Sequence, residues 1–197
     1  GVVLANGGLP AGVIPEEFTG PTREVYKTLP VVKAGDLEAC FRGTYQAGPP
    51  GVPGLLYWRK FCAESQEICR PGHVIGLISS VVPLTEGEMA AFSAPYSDES
   101  YVTGVRRFPS LIPLFADEPE VAENRAAWEV LKQFDKPFMC AFADDDPVTA
   151  GGDRAFLDRL PGCEGVDHRT ISPAGHFLQQ DQPGQCVQAI LAITGRL

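Results

Sequence analysis

The chain reads as an α/β protein, and three observations predict it. Short continuous apolar runs, of the kind a strand in a parallel sheet presents, occur at Val2–Ala5, closed by Asn6-Gly7-Gly8, and at Phe138–Ala143, with Arg169–Ser172 a weaker third case. Helical spacing of apolar residues fills the interval between the second and third runs and returns after the third, giving the strand, helix, strand, helix alternation of βαβ units. Finally, 197 residues at 44% hydrophobic composition are enough to bury one sizeable core, as one domain or one domain plus an insertion.

Taken in order, Val2–Ala5 is expected to be a strand buried on both faces. From about residue 15 to residue 115 the texture changes: Pro and Gly become dense (Pro49-Pro50-Gly51-Val52-Pro53-Gly54), strand-like runs are few, and the periodic pieces are short helices. The clearest of these opens at Thr85-Glu86-Gly87-Glu88, a capping box, with Leu84 and Met89 at the hydrophobic-staple positions. A helix is predicted from Val121 to Phe134, with Trp128 and Leu131 on one stripe and Phe134 beside it. The strand Phe138–Ala143 follows, then a helix over Asp153–Leu160 with Phe156, Leu157 and Leu160 at helical spacing, then the third strand. A last helix over Cys186–Ile193 is ended by Gly195. The expected organisation is a core of residues 1–14 and 116–197 with a helical insertion at 15–115.

The bulk numbers exclude several classes. A net charge of -9, with sixteen basic residues scattered among twenty-five acids, argues against nucleic-acid binding, because phosphate contacts need clustered Lys and Arg. No apolar run approaches the ~20 residues of a membrane span. The six cysteines show no C-x-x-C spacing and no histidine beside a cysteine pair, so neither a zinc site nor a redox motif is indicated, and dispersed thiols of a cytoplasmic protein are expected over a bridge between Cys62 and Cys69 or one involving Cys40. The start at Gly1 has neither an initiator Met nor a basic n-region, and reads as a strand entered midway, so the chain is expected to be the C-terminal part of something longer.

The chemistry sits on two loops. His176 follows a tight Gly turn after the third strand, in Ile171-Ser-Pro-Ala-Gly-His176-Phe-Leu, and a carboxylate run, Asp144-Asp145-Asp146-Pro147, follows the second strand. Loops beyond the carboxyl ends of parallel strands are where open α/β sheets collect reactive groups, so a general base and its orienting acid can converge there, in the chain order nucleophile, acid, histidine. Asp146 is favoured over Asp144 and Asp145 because Pro147 fixes the backbone leaving the strand, while two of the three are expected to be solvated turn residues. His73 and His168 lack such company and read as surface or structural. Trp58 and Trp128, on residues alone, read as core indoles with a satisfied N–H.

Ala94-Pro-Tyr-Ser-Asp-Glu-Ser-Tyr-Val-Thr-Gly-Val-Arg-Arg-Phe-Pro-Ser-Leu-Ile-Pro113, Asn124-Arg-Ala-Ala-Trp-Glu-Val-Leu131, Lys136-Pro-Phe138, Asp144-Asp-Asp-Pro-Val-Thr-Ala-Gly-Gly-Asp153 and Ala174-Gly-His-Phe-Leu-Gln-Gln-Asp181 together resemble the second half of haloalkane dehalogenases, densely from about Val74 onward. The resemblance implies a partial α/β-hydrolase core with a helical cap and a cofactor-free, metal-free reaction: a carboxylate displaces halide from carbon, and histidine activates water to hydrolyse the alkyl-enzyme ester. It makes His176 the base and Asp146 the acid. Trp58 aligns with a cap tryptophan whose indole N–H binds the leaving halide. Haloalkane, water and halide are the implied partners.

No G-x-D-x-G or G-x-S-x-G elbow occurs in residues 1–197, so the nucleophile is expected upstream and the isolated chain is expected to be inactive. The alternatives are another cap-bearing hydrolase of epoxide-hydrolase type, which would need ring-opening tyrosines among Tyr57, Tyr96 and Tyr101, or a non-catalytic partial fold.

Overall fold

The computed structural model describes residues 1–78 and 81–195. Strands β1 (Val2–Ala5), β2 (Phe138–Ala143) and β3 (Arg169–Ile171) form one parallel sheet in the order β1-β2-β3, with Val3 opposite Met139 and Phe142 opposite Thr170. Helices α1 (Glu16–Thr28), α2 (Leu37–Phe41), α3 (Gly54–Glu64), α4 (Pro71–Ile78), α5 (Glu86–Ser93) and α6 (Thr103–Arg107) lie between β1 and β2 in the chain. They are followed by α7 (Glu120–Leu131), and α8 (Arg154–Leu157), α9 (Leu178–Asp181) and α10 (Pro183–Ile193) accompany the later strands. Among the described residues no helix is long and apolar enough to cross a membrane. The chain resolves into two compact units, one of residues 1–9, 79–82 and 124–197, the other of residues 10–78 and 83–123.

In the sheet unit β2 is the strand with both faces covered. Phe138 through Phe142 are buried. Met139 and Ala141 face a cluster with Ile171, Ala174, Leu178 and Ala189. On the opposite face Phe138 stacks on Phe156 at 5.7 Å and 12°, Phe156 meets Trp128 at 4.9 Å, and Phe134 meets Phe138 edge-on. Aromatic pairs of this geometry contribute about 0.5–1.5 kcal/mol each beyond the area they bury. Trp128 is core: its N–H donates to the Leu9 carbonyl at 2.9 Å, and the Arg159 guanidinium lies 5.0 Å over its ring.

β1 departs from the expected double burial. Its ends are exposed, Val2 at 36%, and its middle residues are half-buried. The sheet order explains this, because β1 is a terminal strand and flanking side chains reach the central strand first. The helix expected over residues 153–160 is a single turn, α8. Pro161 drives Leu160 into the extended region (φ -100°, ψ 120°), since a proline ring clashes with a preceding helical residue. Phe156 and Leu160 are nonetheless buried, so their spacing did report a shared apolar face. α10 starts three residues before the expected Cys186 because Pro183 takes the first-turn position, where a missing N–H costs nothing.

The second unit is helical throughout, around a core that includes Leu37, Leu56, Phe61, Ile68, Val74 and Leu114. α5 opens on the capping box: the Thr85 hydroxyl accepts from the Glu88 amide, and the Glu88 carboxylate accepts from the Thr85 amide at 2.7 Å. The two ends of the long excursion meet in a short parallel bridge, Ile14 to Phe115, where the Ile14 N–H donates to Leu114 O at 2.7 Å. Gly12, at φ 84°, lies where a Cβ would come within 3.0 Å of the Ala116 backbone, so this close approach needs glycine. All six cysteines carry free thiols, and burial pushes Cys62 and Cys140 up to about 12 and Cys40 up to about 11.

A buried ion pair fixes the returning segment. Arg59, on α3, holds the Glu118 carboxylate through both terminal nitrogens and also donates to the carbonyls of Pro109 and Ile112. Glu118 in turn accepts from the amides of Leu114 and Phe115; burial raises its pKa, but Arg59 and these amides outweigh that and hold it below the usual range. Removing one partner of such a pair strands the other charge and two carbonyls. Arg59→Met is therefore expected to lower the unfolding free energy by about 3–5 kcal/mol, read from the urea midpoint, whereas exposed Lys27→Met should change it by less than about 1 kcal/mol.

Candidate active site

The residues of interest lie just past the ends of β2 and β3. After Ala143 the chain runs into Asp144-Asp145-Asp146-Pro147-Val148-Thr149. The Asp146 side chain turns back and is 2% exposed. Its carboxylate accepts from the Val148 amide at 2.8 Å and from the Thr149 hydroxyl, a local arrangement natural to an Asp followed by Pro, which has no amide of its own to offer.

The remaining approach is filled by His176, whose Nδ1 lies 3.0 and 3.1 Å from the two carboxylate oxygens. An ionised carboxylate only accepts, so Nδ1 carries the proton and donates. In the neutral ring Nε2 is then the basic nitrogen, and among the described residues no donor or acceptor meets it. The His176 side chain is 28% exposed, and Phe177 packs edge-on against its ring at 5.5 Å and 81°.

Burial pushes the Asp146 carboxyl up, but the hydrogen bonds from His176, Thr149 and Val148 and the nearby imidazole together outweigh it, and the net direction is downward. The acid therefore stays ionised at neutral pH and can accept from the imidazole N–H.

The loop that carries the histidine is held at nearly every polar group. Asp144 is exposed, as expected of a solvated turn residue, and its carboxylate also accepts from the Ser172 hydroxyl and from the Ala174 amide at 2.9 Å, bonds that lower its pKa. The backbone of Asp145 donates to Ala174 O at 3.1 Å. Asp181, buried at the end of α9, accepts from the Gly175 amide at 2.8 Å and from the amides of Val81 and Val82. Asn6, buried at the exit of β1, donates to the carbonyls of Gly175 and His176.

Sequence reasoning assigned no such role to Asn6, Asp144, Thr149 or Asp181. Thr149, three residues after the acid, was the one with a local signal. Asn6 and Asp144 act through long-range contacts that no short window contains, and Asp181 combines a bond to Gly175 six residues away with bonds to the distant Val81 and Val82.

The other histidines are placed plainly. His168 accepts the Cys140 amide on Nδ1 at 3.0 Å and directs Nε2 to Cys163 O at 3.0 Å, which makes it a backbone brace, and His73 is exposed.

The structure thus brings together His176 and Asp146. Trp58 lies on α3 in the helical unit, half-buried, stacked on Phe61 at 5.8 Å and 15° at the margin of that unit's core. Among the described residues no acceptor meets its indole N–H, unlike that of Trp128. Tyr57 is buried against Tyr45 in the same core, and Tyr101 is 60% exposed. Among the described residues no group of His, Cys, Asp and Glu is arranged to hold a metal ion. The buried thiols stay protonated at neutral pH and are not nucleophiles there.

Comparison with known proteins bears on what this arrangement is. No family model matches the chain. A haloalkane dehalogenase of Psychrobacter cryohalolentis is 44% identical over 140 residues, covering 70% of this chain and 45% of that protein. One of Mycobacterium marinum is 36% identical over 137 residues, covering 68% and 44%. Among solved structures, the haloalkane dehalogenase DbeA of Bradyrhizobium elkani superposes with a TM-score of 0.58 at 21% identity, over 90% of this chain and 52% of that one, which shows the shared α/β-hydrolase fold. The chain spans a little under half the length of the curated relatives it matches. By sequence, it belongs to the haloalkane dehalogenase family.

Proposed function

We propose that this chain supplies the general base, the orienting acid and one halide ligand of a hydrolase that cleaves carbon–halogen bonds in small haloalkanes, releasing alcohol, halide and a proton. The observation that carries the reading is the 3.0 Å contact from His176 Nδ1 to a carboxylate that is 2% exposed, at the exits of adjacent parallel strands. In the first step a carboxylate nucleophile forms a C–O bond as the C–X bond breaks and halide leaves with its electron pair. In the second, His176 Nε2 takes a proton from water, whose oxygen attacks the ester carbonyl, and the alcohol departs as the carboxylate is restored.

Asp146 holds the tautomer and offsets the imidazolium charge. Trp58, whose indole N–H meets no acceptor among the described residues, is the group assigned to donate to the departing halide, since a fixed N–H donor stabilises a developing anion. No elbow with a nucleophile occurs in residues 1–197, so the reading assigns that group to residues other than these.

The reading carries with it a core of residues 1–14 and 116–197 and a cap of residues 15–115. The Ile14–Phe115 bridge, where the two ends of the excursion meet, supports that division. The six free thiols support a reducing, cytoplasmic setting.

The direct test is to co-express residues 1–197 with the segment of the Psychrobacter relative that precedes the matched region, and to assay bromide release from a short bromoalkane. Release is expected from the pair and not from either part alone. His176→Ala should give a single-turnover burst and then stop, because it blocks only ester hydrolysis, and Asp146→Asn should lower kcat by about 10³–10⁴ through the wrong tautomer. Absence of bromide from the pair, or full turnover by the His176 variant, would overturn the reading. Trp58→Phe should weaken bromide binding about tenfold or more, read as loss of a saturable change in tryptophan fluorescence.

The depressed acid also predicts a pH signature. A carboxylate whose folded pKa lies below its unfolded value of about 4 adds stability that is fully present above that value and is lost as pH falls through the folded one. Chemical denaturation between roughly pH 5 and pH 2 should show this loss in the parent chain and a shallower slope in Asp146→Asn.

A further inference from the structure

We propose that Asn6 is a positioning residue for the histidine–aspartate pair: its side-chain amide fixes the backbone of the residue that carries the imidazole. The inference rests on reading His176 and Asp146 as base and acid.

Asn6 sits where β1 ends, at φ 41°, in the left-handed region that side chains other than Asn and Asp rarely occupy. If the turn alone were required, glycine would fill the position at lower cost, and two glycines follow at once. The side chain, however, is spoken for. Asn6 is 8% exposed, its Nδ2 donates to Gly175 O at 2.9 Å and to His176 O at 2.9 Å, and its Oδ1 accepts the Ala143 amide at 2.8 Å. Two carbonyls on one side and an N–H on the other admit one orientation of the amide, since the flipped form would face oxygen to oxygen and N–H to N–H.

One side chain thereby joins the exits of all three strands: β1 through its own backbone, β2 through Ala143, and the loop after β3 through residues 175 and 176. The loop's amides are held separately, Ala174 by Asp144 and Gly175 by Asp181. Its carbonyls at 175 and 176 depend on Asn6. The His176 carbonyl is attached to the same Cα as the ring, so its direction sets where the ring starts toward Asp146.

The test uses the 197-residue chain with ¹⁵N-labelled histidine. The readouts are the Nδ1–H signal of His176, assigned by its loss in His176→Gln and its shift in Asp146→Asn, and exchange of the Ala143 amide. Asn6→Gly keeps the backbone conformation and removes the amide; Asn6→Asp keeps the shape and the acceptor but has no N–H for the two carbonyls.

Both variants are expected to broaden or abolish the Nδ1–H signal while amides paired between β2 and β3 stay protected. Ala143 exchange should accelerate about tenfold in Asn6→Gly and much less in Asn6→Asp, consistent with the loss of one hydrogen bond. Retention of the parental signal in either variant would overturn the proposal and leave Asn6 a turn residue. A parent chain with no Asp146-dependent Nδ1–H signal would overturn the base–acid reading itself, and the proposal with it.

Discussion

An ionised carboxylate removed from water is costly unless every lone pair that matters finds a donor, and the organisation of the sheet unit follows from meeting that demand at Asp146. Two of its donors, Val148 and Thr149, come from the three residues that follow it and are fixed as soon as the turn forms. The third, His176, must be delivered from a separate strand exit. The ring is therefore the last donor for the acid beneath it, and the position of each group depends on the other.

That delivery explains the density of polar contacts around residues 172–176. A loop beyond a three-residue strand such as β3 has little ladder to steady it, and the structure compensates with side chains from Asn6, Asp144 and Asp181, each reaching the loop from a different part of the unit. The buried clusters on the two faces of β2 hold the platform from which these groups extend. Packing sets the strand exits, and hydrogen bonds convert their positions into an orientation of one imidazole.

The strands and the capping box were legible in the sequence because their signals are local: continuous apolar runs, and a Thr three residues before a Glu. The pairing of Asp146 with His176 was legible as chemistry, since an acid and a histidine behind successive strands of a parallel sheet emerge at the same rim. Burial of β1 was misjudged because an apolar run does not say whether its strand lies at the centre or the end of the sheet. The helix over 153–160 was overextended because the spacing of Phe156 and Leu160 was given more weight than Pro161. Asn6 and Asp181 escaped notice for a different reason: a turn-forming Asn and an Asp after two glutamines look like surface punctuation until partners 99 to 170 positions distant are known.

The run Asp144-Asp145-Asp146 looks redundant as text, three interchangeable acids with two to spare. In the folded chain the first grips the neighbouring loop, the second contributes its backbone N–H to that loop, and the third turns inward to the ring. A one-residue slip in this stretch would leave the composition of the triplet almost unaltered while handing each acid its neighbour's task, so spacing rather than carboxylate count is what selection must preserve here.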